Sequence, residues 1–203
     1  MDEYLILSLD DMLSQLDESF VKTQLSSFSC PKNSDVEFFI KTKAILFSQQ
    51  GLSKTHLVYL IHENEIMLVG YFALTQKDIL VQGKSVGRSM RDRLRKFATY
   101  DSSSNQYRVP TILIAQLGKN YANNYDKFIT GDQLLNFAID KVKHVQGIIG
   151  GKITYIECVD NKKLISFYKR NEFVPFGKRA LDKDEITNTD EKELIQMLRY
   201  FKG

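Results

Sequence analysis

The chain has 203 residues, of which 43% are hydrophobic, 11% aromatic and 26% charged, a composition that supports a buried core and excludes disordered and fibrous classes. One domain suits that length. The formal net charge of +3 is too mild to assign nucleic-acid binding to the chain as a whole, so any basic footprint must be local.

Residues 4–8 are a short apolar run that predicts a strand, and Leu13, Leu16, Phe20 and Val21 then recur at helical spacing. Residues 28–35 collect Ser, Cys, Pro, Lys and Asn and predict a loop. After it Val36, Phe39, Ile40, Lys43, Ala44 and Phe47 trace a second helix that stops at Gly51. Residues 56–61 and 66–74 are β-rich runs around a polar turn at 62–65, which predicts a hairpin. Residues 85–98 read as a basic helix, followed by an exposed polar loop that ends at Pro110. Residues 111–117 are continuously apolar, as in a central strand covered on both faces. Leu134, Leu135, Ala138, Ile139 and Val142 mark one face of a helix opening near Gly131, with Thr130 and Gln133 fitting a capping box at its start. A strand at 153–159, a short helix around Leu164, Ile165 and Tyr168, and last strands at 174–176 and 194–201 complete the order, the last two separated by an acidic loop at 182–193. Strands and helices mixed in this way predict an α+β (mixed α/β) sheet with helices on both faces.

Cys30 and Cys158 are too few and too far apart for a disulfide framework or a zinc site. No apolar run reaches the length of a membrane span, and the first residues lack the plan of a signal peptide. The expectation is a cytoplasmic protein with no metal and no membrane partner. At Gly131 a helix start supplies N–H groups and the positive end of the helix dipole, so a phosphate can approach the backbone there; the alternative is a glycine that only eases a turn. Neither G-x-x-x-x-G-K-[ST] nor G-x-G-x-x-G occurs, so nucleotide hydrolysis and dinucleotide binding lack a motif.

Taken in order, Phe28-Ser-Cys30, Gly51-Leu-Ser-Lys-Thr55, Val69-Gly-Tyr-Phe-Ala-Leu74, Val109-Pro110, Gly131-Asp-Gln-Leu-Leu135 and Ser166-Phe-Tyr168 with Phe173 resemble the GNAT acetyltransferases. More narrowly, the sequence is similar to the branch that includes the tRNA-acetylating toxins of toxin-antitoxin pairs. The likeness spans residues 28–176. It implies a single GNAT domain over 1–203, with a basic insert at 84–108, built on a mostly antiparallel twisted sheet that splays where acetyl-CoA binds. It also implies that the backbone of Ala115, Gln116 and Leu117 pairs with the pantetheine arm, and that Lys127, Ile129, Thr130, Gly131 and Asp132 surround the pyrophosphate. Of the family's loop pattern only Gly131 is kept: Asp126 replaces a polar or basic residue and Ile129 replaces a glycine. Tyr168 matches the family tyrosine that protonates the departing thiolate. A phenol with a reference pKa near 10 suits that role, and the alternative is a packed core tyrosine. Asn161 matches an asparagine near the cofactor arm, and equally suits a helix N-cap.

A general base is less evident. Glu157 can act through a water, against the commoner case of a strand carboxylate facing solvent, while His56 and His62 flank a hairpin strand and His144 ends a helix, so all three have sufficient structural readings. An α-amine with a reference pKa near 8 needs no base, whereas a lysine near 10.4 does. The basic insert sets Lys84, Arg88, Arg91, Arg93, Arg95 and Lys96 against Asp92 alone. With Tyr100 and Tyr107 nearby, Arg88, Arg91, Arg93 and Arg95 can hold an RNA backbone, or can be a solvated helix face above Met90, Leu94 and Phe97. The expected activity is acetyl transfer from acetyl-CoA to a primary amine, of aminoacyl-tRNA or of a protein. The competing readings are a small-molecule amine acetyltransferase and a degenerate GNAT-fold binding module. The toxin likeness implies a small antitoxin partner, and the segregated charge permits a homodimer.

Overall fold

A computed structural model describes residues 3–181 and 193–202. The chain divides into two compact units, Met1–Thr75 with Ile114–Lys141 and Gln76–Leu113 with Val142–Gly203. Of the acidic loop expected at 182–193, all but Glu193 lies outside the described residues.

The first unit opens with β1 (Glu3–Ser8), α1 (Leu9–Gln15) and α2 (Glu18–Ser26). The apolar spacing from Leu13 to Val21 predicts one helix, and the structure has two. Leu16 is extended, and Asp17 accepts a hydrogen bond from Ser19 N at 2.8 Å, which starts a new helix. The helix expected from Val36 is α3 (Ser34–Phe38), a π-helical turn (Phe39–Lys43) and α4 (Ala44–Gln49). Asn33 caps its start by accepting from Asp35 N and Val36 N, and Gly51 at φ +69° ends it.

The hairpin is β2 (Lys54–His62) with β3 (Glu65–Gln82), paired antiparallel from Lys54↔Leu74 to His62↔Glu65. Glu63 and Asn64 both take positive φ, as a two-residue primed turn demands. β1 pairs antiparallel with β2. Phe28, Phe39, Ile40, Leu57, Leu68 and Tyr71 centre the core of this unit, where the Tyr71 hydroxyl donates to Val36 O at 2.6 Å, so its buried phenol is paired.

The second unit holds α5 (Arg88–Leu94), β4 (Thr99–Asp101), β6 (Ile153–Val159), α7 (Lys162–Arg170), β7 (Val174–Ala180) and β8 (Glu193–Tyr200). Two elements contribute residues to both units besides β3: β5 (Gln106–Lys119) and α6 (Gly131–Ile149). Strands are ordered β1-β2-β3-β5 in the first unit and β3-β5-β6-β8-β7 in the second, where β4 also pairs with β5. Pairing is antiparallel for β4–β5, β6–β8 and β7–β8, and parallel for β5–β6. The architecture is therefore the expected mixed α/β one, with a mostly antiparallel sheet.

The insert departs from its sequence reading. The basic helix is only seven residues long, and the expected polar loop is a hairpin of β4 with the start of β5. Tyr107 and Val109 are buried while Arg108 between them is exposed, so the period is two and the segment is a strand. Leu94, Tyr107, Val109, Tyr155 and Leu198 belong to the core of this unit, against which Met90 and Phe97 pack as expected. Residues 111–117 are covered only in part: Thr111 to Ile114 are buried, Ala115 is exposed, and Gln116 and Leu117 are half-buried.

Candidate functional site

In the first unit the site begins where β5 loses its cover. The parallel ladder of β5 with β6 consists of Ile112↔Thr154 and Leu113↔Tyr155, and beyond it come Ala115, Gln116 and Leu117. Gln116 Nε2 donates to Asp35 Oδ2 at 2.9 Å, which fixes its side chain. A Cβ on Gly118 would meet Val36 Cγ1 at 2.3 Å, so only glycine lets β5 approach α3 this closely.

Next comes a loop whose carbonyls are held by side chains. Lys119 Nζ donates to Asp126 O at 2.5 Å and to Ile129 O at 2.8 Å, and the Tyr4 hydroxyl donates to Phe128 O at 2.5 Å. Asn120 is buried: its Nδ2 donates to Leu68 O, and its Oδ1 accepts from Ser29 N and Ala122 N at 3.0 Å each. Asn123 and Asn124 take left-handed φ of 52° and 61°, which asparagine tolerates better than most residues. The loop ends at the capping box read from the sequence. Thr130 N donates to Gln133 Oε1 at 2.9 Å, and Gln133 N donates to Thr130 Oγ1 at 3.1 Å.

Neither bond of the box engages Gly131 N–H, the first donor of the 19-residue α6. Ile129, which stands where the family has a glycine, is 2% exposed. Its bulk is directed into the protein, so the helix start is not blocked by it. Lys127 is exposed on the loop, and Asp132 puts one carboxylate in the first turn of α6. Such a segment can present fixed backbone donors to an anion.

The second unit carries Tyr168. Its ring packs edge-on against Phe167 and Phe173 at centroid distances of 4.9 and 5.7 Å, and 8% of the residue is exposed. Burial, reinforced by the neighbouring Cys158, pushes its phenol well above the usual tyrosine range. It is a proton donor at any physiological pH. Cys158 is itself raised to about 11 by burial and by Asp160, which keeps it a neutral thiol. Asn161 is the N-cap of α7: its Oδ1 accepts from Lys163 N at 2.9 Å and Leu164 N at 3.3 Å.

Glu157 does not face solvent as the commoner case for a strand carboxylate would have it. Its side chain is 9% exposed and clasped by Arg179, with Nε to Oε1 and Nη2 to Oε2 both 2.6 Å, while the Tyr155 hydroxyl donates to Oε1 at 2.7 Å. Burial acts to raise its pKa, but Arg179 and Tyr155 outweigh it and hold the carboxyl below its ordinary value. A proton acceptor so engaged is a poor general base. His144 lies inside α6, which runs on to Ile149, and does not end the helix as the sequence suggested. His62 lies 3.8 Å from Glu63 and against the Phe128 ring, and His56 is buried on Phe72.

The four arginines of the insert, three in α5 and Arg95 just after it, do not share one surface. Arg88 and Arg93 line an open hollow of about 530 Å³ with Asp92 and Lys96, at positions that fall on one helical face. Arg93 also lies over the Tyr200 ring at 4.9 Å. Arg95 Nε donates to the Tyr107 hydroxyl at 3.2 Å, and its Nη1 is 3.5 Å from Asp92. Arg91 is half-buried and does not line the hollow. Sequence reasoning missed Lys119, Asn120, Tyr4 and Arg179. A lysine and an asparagine that end an apolar strand were the available signal for the first two; Tyr4 and Arg179 gave none.

Among the described residues no three His, Cys, Asp or Glu side chains gather as metal ligands would, and no helix is long and apolar enough to cross a membrane. No family model matches the chain, and no curated protein matches it in sequence. Solved structures do. AtaT complexed with acetyl-methionyl-tRNAfMet is similar over 95% of this chain and 94% of its own, at a TM-score of 0.61 and 15% identity. A tyrosine-to-phenylalanine mutant of KacT is similar over 96% and 95%, at 0.61 and 13%. An AtaT mutant toxin bound to the C-terminus of the antitoxin AtaR and acetyl-CoA is similar over 95% and 91%, at 0.58 and 14%. The chain thus has the GNAT fold, in the form taken by the AtaT and KacT toxins.

Proposed function

We propose that residues 1–203 form one acetyl-CoA-dependent N-acetyltransferase domain. The observation that carries this reading is the loop ahead of α6. Lys119 and Tyr4 take up three of its carbonyls and a capping box closes its end, so its backbone donors are fixed before any ligand arrives. Fixed donors cost little reorganisation when a pyrophosphate binds, which is what an anion site at a helix start needs. Lys127, Thr130 and Gly131 serve the phosphates, and the strand backbone at Ala115, Gln116 and Leu117 takes the pantetheine arm. Asp132 opposes the bound charge. Support for acetyl-CoA comes also from AtaT structures that contain it.

In the reaction a neutral amine attacks the thioester carbonyl, the C–N bond forms, and the C–S bond breaks. Tyr168 gives its phenolic proton to the departing sulfur, and the amine loses its proton to solvent. A buried phenol held protonated suits the donor's part. With Glu157 engaged by Arg179, the acceptor best served is an amine that is already partly neutral at pH 7, an α-amine. Aminoacyl-tRNA meets that condition, and AtaT has been captured with acetyl-methionyl-tRNAfMet. A protein α-amine meets it equally well, and small amines remain the enzyme alternative. An antitoxin partner is proposed by analogy with AtaR bound to AtaT, a homodimer from the segregated charge, and a cytoplasmic setting from two buried free thiols.

Thermal protection tests the reading. Acetyl-CoA at about 100 times its dissociation constant should stabilise the fold by roughly 2.7 kcal/mol. An unchanged melting temperature at millimolar acetyl-CoA, or acetyl-CoA bound without transfer to any amine, sinks the enzyme and leaves a binding module.

A further inference from the structure

The hollow beside α5 is lined by Arg88, Ser89, Asp92, Arg93 and Lys96. Asp92 is 3.5 Å from Arg95 Nη1, and Arg95 stands outside the lining, so the carboxylate is already answered by a cation that the hollow does not count. Arg88 and Lys96 form no ion pair with any described residue, although each is four positions from Asp92. Arg93 lies over the Tyr200 ring at 4.9 Å, a contact that holds its guanidinium without neutralising it. The helix dipole explains only part of this charge. Arg93 and Lys96 suit the C-terminal end of α5, but Arg88 is its first residue, where the dipole disfavours a cation.

An aromatic ring beside the hollow is the second observation. Arg95, whose Nη1 reaches Asp92, also donates from Nε to the Tyr107 hydroxyl at 3.2 Å, and the Tyr107 ring lies 4.8 Å from that of Tyr100. Tyr107 is buried in the core of the unit, whereas Tyr100 is 49% exposed. The Tyr100 hydroxyl donates to Asn105 Oδ1 at 3.0 Å, which fixes the ring across the β4–β5 hairpin. An unbroken run of contacts thus joins the hollow to a large ring that is held in place and left open to solvent. The protein's own packing gives no reason for that exposure, and a fixed, exposed aromatic ring is what a stacked base needs.

The two features together select the ligand. Arg88 and Lys96 are eight residues apart, or about 12 Å along a helix axis, a spread that suits successive phosphates better than one. An acidic peptide would match the charge but has no use for the ring, and a base-paired duplex keeps its bases from stacking on a side chain. We propose that this face of the insert binds single-stranded RNA, with Arg88, Arg93 and Lys96 on successive phosphates and the Tyr100 ring as the platform for a base. Arg95 is a positioning residue, tied to Tyr107 and Asp92. The site deepens the proposed RNA-linked acceptor and rests on that reading.

The test separates charge from stacking. Binding of a labelled short single-stranded RNA and of labelled deacylated tRNA is measured by fluorescence polarisation across a salt series. Arg88→Gln with Lys96→Gln should weaken binding at least about tenfold and reduce the slope of log affinity against log salt by about 1.4, or roughly 0.7 for each phosphate no longer neutralised. Tyr100→Ala should weaken binding about tenfold at an unchanged slope, and Tyr100→Phe, which keeps the ring, should restore it. Arg108→Gln removes one charge from an exposed position of the same insert and should leave affinity and slope near the parent's. Melting temperature should hold in every variant, since Arg88, Lys96, Tyr100 and Arg108 are all exposed. Parental affinity and slope in the double variant, or a loss at Arg108→Gln as large per charge, overturns the site while leaving the RNA-linked acceptor standing. Tyr100→Ala that binds as the parent does overturns the single-strand assignment. A parent chain that binds acetyl-CoA but no RNA overturns both site and acceptor. Competition by inorganic phosphate or polyglutamate at the affinity of RNA, or a matching loss of acetyl-CoA affinity in the double variant, gives the hollow to another ligand and overturns the proposal.

Discussion

The loop before α6 and the aromatic packing around Tyr168 serve the same proposed reaction by opposite means. The loop is held by charged and amide side chains that reach carbonyls and amides far along the chain, whereas Tyr168 is held by the edges of Phe167 and Phe173. Hydrogen bonds are directional, and a missing partner leaves a buried polar group unpaired. Aromatic packing tolerates the loss of one hydroxyl if the ring stays. A polar deletion in the loop should therefore harm stability and binding together, while a polar deletion at Tyr168 should harm chemistry alone.

The comparison breaks first at Asn120. Asn120→Ala removes three hydrogen bonds, one to the buried Leu68 O and two from the part-buried Ser29 N and Ala122 N. A loss of roughly 3 to 5 kcal/mol is expected, read as a lower urea midpoint at unchanged slope. A loss below about 1 kcal/mol would mean that the network is not what holds the loop.

His56 probes the same unit by pH. Burial first, and Lys141 next, lower its pKa from 6.5 to about 4, against the pull of Asp10 and Asp11. The neutral ring is the form that the fold prefers. Its contribution is full above pH 6.5 and is lost as pH falls through that value toward 4, by roughly 3 kcal/mol in all. His56→Gln should flatten this part of the stability profile. A wild-type profile with no drop between pH 6.5 and 4 would contradict the burial argument.

Tyr168→Phe is the counterpart in the other unit. Turnover should fall about 100-fold or more, with acetyl-CoA affinity and melting temperature nearly unchanged. Unaltered turnover, where chemistry limits the rate, returns Tyr168 to the core. The smallest effect is expected at Lys119→Met, which keeps the length of the side chain and removes the donor to Asp126 O and Ile129 O. Acetyl-CoA affinity should fall by about tenfold, a change of roughly 1.4 kcal/mol, with little change in turnover at saturation. If turnover falls and affinity does not, the loop serves the chemistry and not the binding.

Local pattern alone made much of this protein legible. The 62–65 turn, the Thr130–Gln133 capping box and the apolar face of α6 depend on residues within a few positions of each other, and each appears where its spacing put it. The resemblance of ordered blocks pointed to the GNAT fold. Where the reading missed, the deciding partner was remote or the local signals competed. The cap at Asp17 splits a helix that apolar spacing joins, and the alternation through Arg108 turns a polar loop into a hairpin.

The site shows the same division. Residue type marked Tyr168, Gly131 and Glu157 as chemically capable groups. Only tertiary structure decided that Ile129 turns its bulk inward, that Arg179 closes on Glu157, and that Lys119 and Tyr4 hold the loop from positions 7 to 124 residues away. A side chain's chemistry is fixed by its identity, but its burial and its partner depend on which distant segments the fold brings against it, and those set its pKa and its freedom to act.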